Sequence, residues 1–522
     1  MSNNSSELKL LSDLVKRQVS VRPNKAVFIF ENDTLTYAAL DKGSNRVANG
    51  LLSWGTSPNQ RVGYLGKNSH HYYELLLGVS KSGGVLCPIN WRLAEAEIVY
   101  ILNDFAPEIL LVGPEFMDMV ASLKSQVKCL KHVVPMEADN ENVQHDSQWR
   151  DCQSDRNPNI ERQTTDDALQ MYTSGTTGHP KGAILTNQSL LTAYERYRGH
   201  QTPNWNIWSE DDVSLIPMPC FHIGGTAWGL TTMAHGATGV VMRNFDPVEV
   251  LENIDKYRVS KLFLVPAAMK IVANLPRAKE VDFSQLKFML YGASPLPLPL
   301  LKQAIDVFSC EFAQFYGMTE TSGTISALPP EDHDLKGNER MRSVGKALLG
   351  VEIVIMDDAG NTLPPGKIGE IVTRSSMNMK GYWNLAKATE ETLTNDGWLR
   401  TGDVGYLDKD GYLFLKDRKK DMIISGGENI YPAEVENAIF DHPKVADVAV
   451  IGVPDEKWGE SVKACVVIKS TESLTEKEVI AWTRSKIATF KCPKSVEFLE
   501  TLPRNPSGKV LRRLLRAPSQ ND

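Results

Sequence analysis

From its first residues to about residue 415 the sequence alternates. Short β-rich runs ending in Gly or Pro are followed by longer stretches with helical periodicity. The runs 261–266 (KLFLVP), 288–294 (FMLYGAS) and 239–242 (GVVM) read as strands. The run 288–294 is continuously apolar, as expected of a strand covered on both faces. The period over 73–80 predicts a helix that stops at Gly83 and Gly84. Alternation of this kind predicts α/β architecture.

Beyond residue 420 the pattern changes. Pro432 opens a short helix carrying Val435, Ala438 and Ile439, which His442 and Pro443 stop. Two strand-like runs follow, 447–453 and 462–468. The box 475–478 (TEKE) then caps a helix bearing Val479, Trp482 and Ile487. This is a second, smaller α+β unit. The charged segment between the units, 415–421 (LKDRKKD), reads as an exposed connection. We therefore expect a large N-terminal domain over 1–419 and a small C-terminal domain over 420–522. A chain of 522 residues has room for two or three domains whose cores need no staples.

Composition narrows the function classes. With 42% apolar and 23% charged residues the chain is an ordinary globular protein, so wholesale disorder is excluded. A net charge of −7 argues against a general nucleic-acid binder. Seven cysteines stand at 87, 129, 152, 220, 310, 465 and 492, with no CxxC pair. That excludes a disulfide framework and predicts a reducing, cytoplasmic setting. The first twenty residues lack the apolar core of a signal peptide and read as an amphipathic helix with Leu8, Leu11, Leu14 and Val15 on one face. No run of 18 apolar residues predicts a membrane span.

The strongest chemical signal is 173–182 (TSGTTGHPKG). Glycines let backbone fold closely around phosphate, and successive N–H groups form an anion nest. The hydroxyls add donors and Lys181 adds charge. The Gly-Lys-Ser/Thr spacing of a Walker A loop is missing, so this is a different phosphate loop.

That segment resembles the signature of the adenylate-forming enzymes, the superfamily of acyl-CoA synthetases, luciferases and peptide-synthetase adenylation domains. Four further motifs follow in the family's order: 316–320 (YGMTE), 398–403 (WLRTGD), 417–421 with 425–432 (DRKKD, SGGENIYP) and 503–509 (PRNPSGK). The resemblance implies an acetyl-CoA synthetase-like fold, with a multi-subdomain N-terminal part and a mobile C-terminal domain hinged at Lys420. It implies ATP, Mg²⁺ and coenzyme A. The reaction is expected to make an acyl-adenylate and then a thioester. A homodimer is compatible with it.

Residue roles carry over by position. Thr173, Ser174, Gly175, Thr176, Thr177, Gly178 and Lys181 are expected around the phosphates, with Thr176 and Thr319 closest. Glu320 is expected to hold Mg²⁺, a hard cation that keeps waters and phosphate oxygens as its other ligands. Tyr316 is expected to stack on adenine, with Gly317 and Met318 beside it. Gly292, Ala293 and Ser294 should line the other face. Asp403 is expected to accept from the ribose hydroxyls and Arg418 to reach the ribose or its phosphate. Lys509 is expected to bridge carboxylate and α-phosphate in the first step. After domain rotation Gly426 and Gly427 would leave space for pantetheine. His222, within 221–225 (FHIGG), resembles the family's aromatic gate. Lys491 and Lys494 are candidates for the coenzyme A phosphates, although Cys492 stands where aryl-acid ligases often carry Arg.

The acid pocket is expected from 221–229, 291–295 and 316–324, which are small and apolar. With no fixed cation expected there, a second carboxylate would be costly to bury. We therefore expect a neutral-tailed monocarboxylic acid in a roomy channel beside Gly224, Gly225 and Gly323. A medium- or long-chain fatty acid is the first choice. A benzoate- or cinnamate-type acid is the alternative, and a carrier protein is the alternative acceptor.

Overall fold

The computed structural model describes residues 7–136, 148–173, 180–292, 296, 298–334, 336–418, 421–425, 428–456, 458–470, 472–504 and 510–516. The side chains of residues 148, 417, 418, 428 and 429 are not among them.

Two large sheets form the body of the molecule. The first has nine strands. Six of them, Ala26–Phe30, Thr238–Val241, Val213–Ile216, Lys261–Leu264, Phe288–Gly292 and Glu311–Met318, run parallel. The second has seven strands, with Val85–Pro88, Arg61–Leu65, Ile109–Val112 and His132–Pro135 parallel to their neighbours. Asp167–Thr173 and Lys181–Thr186 form an antiparallel hairpin at the other side of this sheet. The apolar runs read from sequence are interior strands, and Phe288–Gly292 is flanked by parallel strands on both sides.

The helix His70–Lys81 confirms the expected period and explains it. It touches Val85–Pro88 of one sheet and Ala26–Phe30 of the other, and nearly every residue is buried. A helix apolar all round belongs between two layers. It ends where Gly83 adopts φ +88°, a conformation that favours glycine. The amphipathic N-terminal helix is Leu11–Val19, and Leu8, Leu11, Leu14 and Val15 are all buried.

A four-stranded antiparallel sheet follows, from Glu352–Met356, Gly369–Arg374, Trp398–Leu407 and Leu413–Arg418. Here one expectation is corrected. Most of the charged segment 415–421 is a strand paired to 398–407, with Asp403 opposite Arg418. Asp421 is buried and takes Arg516 at 3.1 Å and Arg512 at 3.6 Å. The charges alternate along an edge strand and then close an ion-pair cluster, which composition alone does not distinguish from a solvated loop.

The last sheet is built only from residues 423–498. Its centre is the long hairpin Val445–Asp455 and Gly459–Ile468. The helices Pro432–Phe440 and Glu476–Arg484 pack against it, and Thr475 accepts from the Glu478 N–H as the capping box requires. This unit has its own apolar core around Val435, Ile439, Val450 and Val466.

Candidate active site

The two large sheets converge on one cavity of about 1140 Å³. Thr173 ends one strand of the seven-stranded sheet, and Lys181 opens the next, directly opposite it. Glu320 sits in the 3₁₀ turn Thr319–Thr321, immediately after the strand Glu311–Met318 of the nine-stranded sheet. Its buried carboxylate accepts from the Tyr382 hydroxyl at 2.8 Å and from the Thr173 hydroxyl at 3.4 Å. The Lys181 ammonium lies 4.9 Å from the centre of the Tyr382 ring. Tyr382 reaches this point because Gly381–Tyr382 pairs with 183–184 at the edge of the seven-stranded sheet. No motif in the sequence marked it.

The turn that carries Glu320 depends on a close backbone approach. A Cβ on Gly317 would stand 1.9 Å from the Gly323 carbonyl oxygen. Gly323 itself has φ +123°. At Gly292 a Cβ would meet the Phe315 carbonyl at 2.4 Å, so this glycine serves strand packing, and it is not among the residues lining the cavity. Gly317, Met318 and Thr319 line the cavity together with Glu320.

On the third sheet Asp403 is buried and accepts from the Tyr316 hydroxyl at 2.7 Å. This joins two predicted nucleotide residues from different sheets. A ring whose hydroxyl is tied to a carboxylate presents a fixed face, and the carboxylate keeps further acceptor capacity.

His222 caps the N-terminus of the helix Ile223–Ala234 and lies against the Phe221 ring, with centres 4.6 Å apart. Burial, assisted by the nearby Arg92 charge, pushes its imidazole down to about 4. The ring is therefore neutral at pH 7. Its Nε2 is buried without a hydrogen-bond partner among the described residues, on a side chain that lines the cavity.

Several expected site residues lie outside the described residues: Ser174, Gly175, Thr176, Thr177, Gly178, Ala293, Ser294, Lys420, Gly426, Gly427 and Lys509. The Arg418 side chain does too. Val510 and Leu511, which follow Lys509 in the chain, line the cavity. Lys494 is exposed on the C-terminal unit, and Lys491 is held by Glu434 at 2.7 Å. Neither lines the cavity.

The acid end differs from expectation. Beyond His222 the cavity is walled by Tyr194, Trp205, Trp208, Trp228, Phe263 and Phe315. Three of these come from 193–208, a segment the sequence reading did not include. The expectation of a wall without cations is corrected. Arg17 and Arg198 reach the same cavity, both paired to Glu195, at 3.0 and 3.1 Å. Arg196 lines it with no carboxylate partner among the described residues. Gly225 does not open the channel, because its Cβ would collide with the Pro219 carbonyl at 2.2 Å.

Among the described residues no cluster of three metal-ligating side chains exists. The buried carboxylate of Glu320 fits Mg²⁺ held mainly by phosphate and water oxygens.

Comparison with known proteins agrees with this geometry. The family described as AMP-binding enzyme matches residues 15–383, and its C-terminal domain matches 434–509. The chain is 39% identical to a fatty acid–[acyl-carrier-protein] ligase of Streptomyces coeruleorubidus, over 98% of this chain and 96% of that one. It is 37% identical to a feruloyl-CoA synthase of an Amycolatopsis species, over 95% and 96%. It is 34% identical to a long-chain-fatty-acid–CoA ligase of Mycobacterium tuberculosis, over 98% of each. Among solved structures, ATP-bound MatB from Rhodopseudomonas palustris superposes with a TM-score of 0.87 at 30% identity, over 97% and 98%. The apo form of the same enzyme, equally covered, gives 0.77. The chain belongs to the AMP-binding enzyme family and, within it, to the AMP-forming acyl-CoA synthetases.

Proposed function

We propose that this enzyme activates a medium- or long-chain fatty acid with ATP and passes the acyl group to coenzyme A. The observation that carries the substrate choice is the single cavity joining Glu320 and Thr173 to an end walled by Trp205, Trp208, Trp228 and Phe263. A carboxylate placed beside Glu320 would leave its tail in that ring-lined end. Burying apolar tail there is favourable by about 0.8 kcal/mol per CH₂.

In this reading the reactants are two anions, and the site must neutralise and align them. Lys181 and Thr173 receive phosphate oxygens at the strand ends. Glu320, oriented by Tyr382, holds Mg²⁺, which supplies charge neutralisation on the phosphates. Asp403 takes the ribose hydroxyls, and Tyr316, fixed by that same carboxylate, faces adenine. His222 stays neutral and offers its Nε2, which has no partner among the described residues, to the acid or its adenylate. Lys509 acts in the first step only. A small domain over 420–522 then turns about Lys420 to admit the thiol beside Gly426 and Gly427. Seven free cysteines suit a cytoplasmic setting. Among the described residues no helix is long and apolar enough to cross a membrane.

A second reading keeps the mechanism and replaces the acid by an aryl acid. The abundance of rings in the cavity wall and the feruloyl-CoA synthase relative favour it. Product analysis across a ladder of fatty and aryl acids, with ATP, Mg²⁺ and either coenzyme A or an acyl-carrier protein, separates the readings. Fatty acyl-CoA in one chain-length window supports the proposal. Turnover of aryl acids alone supports the second reading, and turnover only with the carrier protein overturns the choice of acceptor.

A further inference from the structure

The segment 198–212 is polar and mostly exposed, yet it carries two tryptophans three residues apart. Its rings turn inward. Trp205 is buried and meets Phe315 edge-on, with centres 5.5 Å apart. Trp208 stacks on His235 at 5.5 Å and meets Trp228 at 5.2 Å. All of these rings line the far end of the cavity.

Behind Trp208 stands a residue that no motif explains. Lys261 opens an interior strand of the nine-stranded sheet and is only 1% exposed. Its ammonium donates to the Ile207 carbonyl at 2.6 Å. It lies 4.8 Å from the Trp208 ring centre and 4.8 Å from that of Phe288. The charged groups around it are Asp212 and Lys287, and His235 lies across the Trp208 ring. Asp212 is engaged with Lys287 at 2.9 Å and with the Ser260 hydroxyl at 2.8 Å. Among the described residues the direct partners of the buried cation are therefore one carbonyl and two π faces. The carbonyl and one of the faces belong to the wall segment.

Ammonium buried so deeply is costly, and an apolar side chain would fill the same volume without that cost. A cation held against an indole face, by contrast, fixes the indole's position. We propose that Lys261 is a positioning residue for acid selection, clasping Trp208 into the far wall of the acid channel. The proposal rests on the reading of that cavity end as the place of the acid's tail.

Burial pushes the Lys261 ammonium down to about 8, with Lys287 adding to that and Asp212 opposing it. The clasp is therefore nearly complete at pH 7 and about half lost at pH 8. It weakens as pH rises through 8, where the neutral amine loses its attraction for the ring.

The test measures KM and kcat for a ladder of fatty and aryl acids by pyrophosphate release at pH 7 and 9. The proteins are the wild type, Lys261→Met, Lys261→Arg, Trp208→Leu and the Lys261→Met/Trp208→Leu double variant. Lys261→Met and Trp208→Leu each raise the KM of the preferred acid about tenfold, shift preference toward bulkier acids and leave the KM for ATP unchanged. The double variant is no worse than either single one. The wild type drifts the same way between pH 7 and 9, Lys261→Met does not drift, and Lys261→Arg recovers selectivity at both. Should Lys261→Met fail to fold, Trp208→Leu and the wild-type drift still decide. A uniform loss of kcat over all acids, or a drift that survives in Lys261→Met, overturns the inference while the ligase reading stands. A wild type inert toward every acid overturns that reading, and the inference falls with it.

Discussion

Glu320 shows how a motif residue acquires its setting from residues far away in sequence. The motif marks the carboxylate, but its orientation comes from Tyr382, 62 positions on, which donates at 2.8 Å. Partners that orient a metal-holding carboxylate typically matter by about ten- to a hundredfold. Tyr382→Phe is therefore expected to raise the Mg²⁺ concentration needed for half-maximal pyrophosphate release about tenfold, with excess Mg²⁺ restoring the rate. An unchanged Mg²⁺ titration would show that Tyr382 does not serve Glu320. His222 makes a prediction of a different kind. Its imidazole stands at about 4 in the folded chain, against an ordinary value of 6.5. The unfolded chain therefore binds the extra proton between these values. Stability from this residue is complete above pH 6.5 and is lost as pH falls toward 4. His222→Asn should flatten the acid limb of unfolding free energy in that window by up to about 1.4 kcal/mol per pH unit. Denaturant unfolding from pH 4 to 7 reads this directly, and parallel limbs in the two proteins would contradict it. Neither residue's environment was legible in sequence. The local word FHIGG fixes a loop before a helix, but burial and the lost proton arise from packing against Phe221 and the cavity wall.

At the scale of elements, strands and helices of the interior were readable because burial on both faces leaves a continuous apolar run, as in Phe288–Gly292. Edge elements were not. The strand Leu413–Arg418 looks like a charged loop because only its backbone pairing with 398–407 defines it. The wall segment 198–212 was missed for the same reason, since its two tryptophans point inward from an otherwise polar stretch. Lys420, two positions beyond the 413–418 strand in sequence, carries the hinge proposal. Proline removes an N–H donor and restricts φ, so Lys420→Pro should stiffen any rotation there. It is expected to leave acyl-adenylate formation near normal while lowering thioester formation at least tenfold. Lys509→Ala is expected to do the reverse, losing adenylate formation but still making thioester from supplied acyl-AMP. Single-turnover assays of each half-reaction measure both. Equal loss of both steps in either variant would remove the division of labour between these residues.

For the whole molecule, the active site exists only because separate sheets end at one cavity. Thr173 and Lys181 come from one, Glu320 and Gly317 from a second, and Thr401 and Gly402, next to the Tyr316–Asp403 pair, from a third. Sequence motifs in the right order announce such a site, but the route from that site to the acid's tail depends on which segments the fold brings alongside. The chain superposes better on the ATP-bound form of MatB than on its apo form, and Val510 and Leu511 stand at the cavity. The most direct test of the account is ATP–pyrophosphate isotope exchange with Mg²⁺ and without coenzyme A. Exchange that appears only when a carboxylic acid is added, and is fastest for medium- or long-chain fatty acids, is the predicted result. Exchange that ignores the acid, or none until coenzyme A is present, would contradict an adenylate formed as a separate step in this cavity.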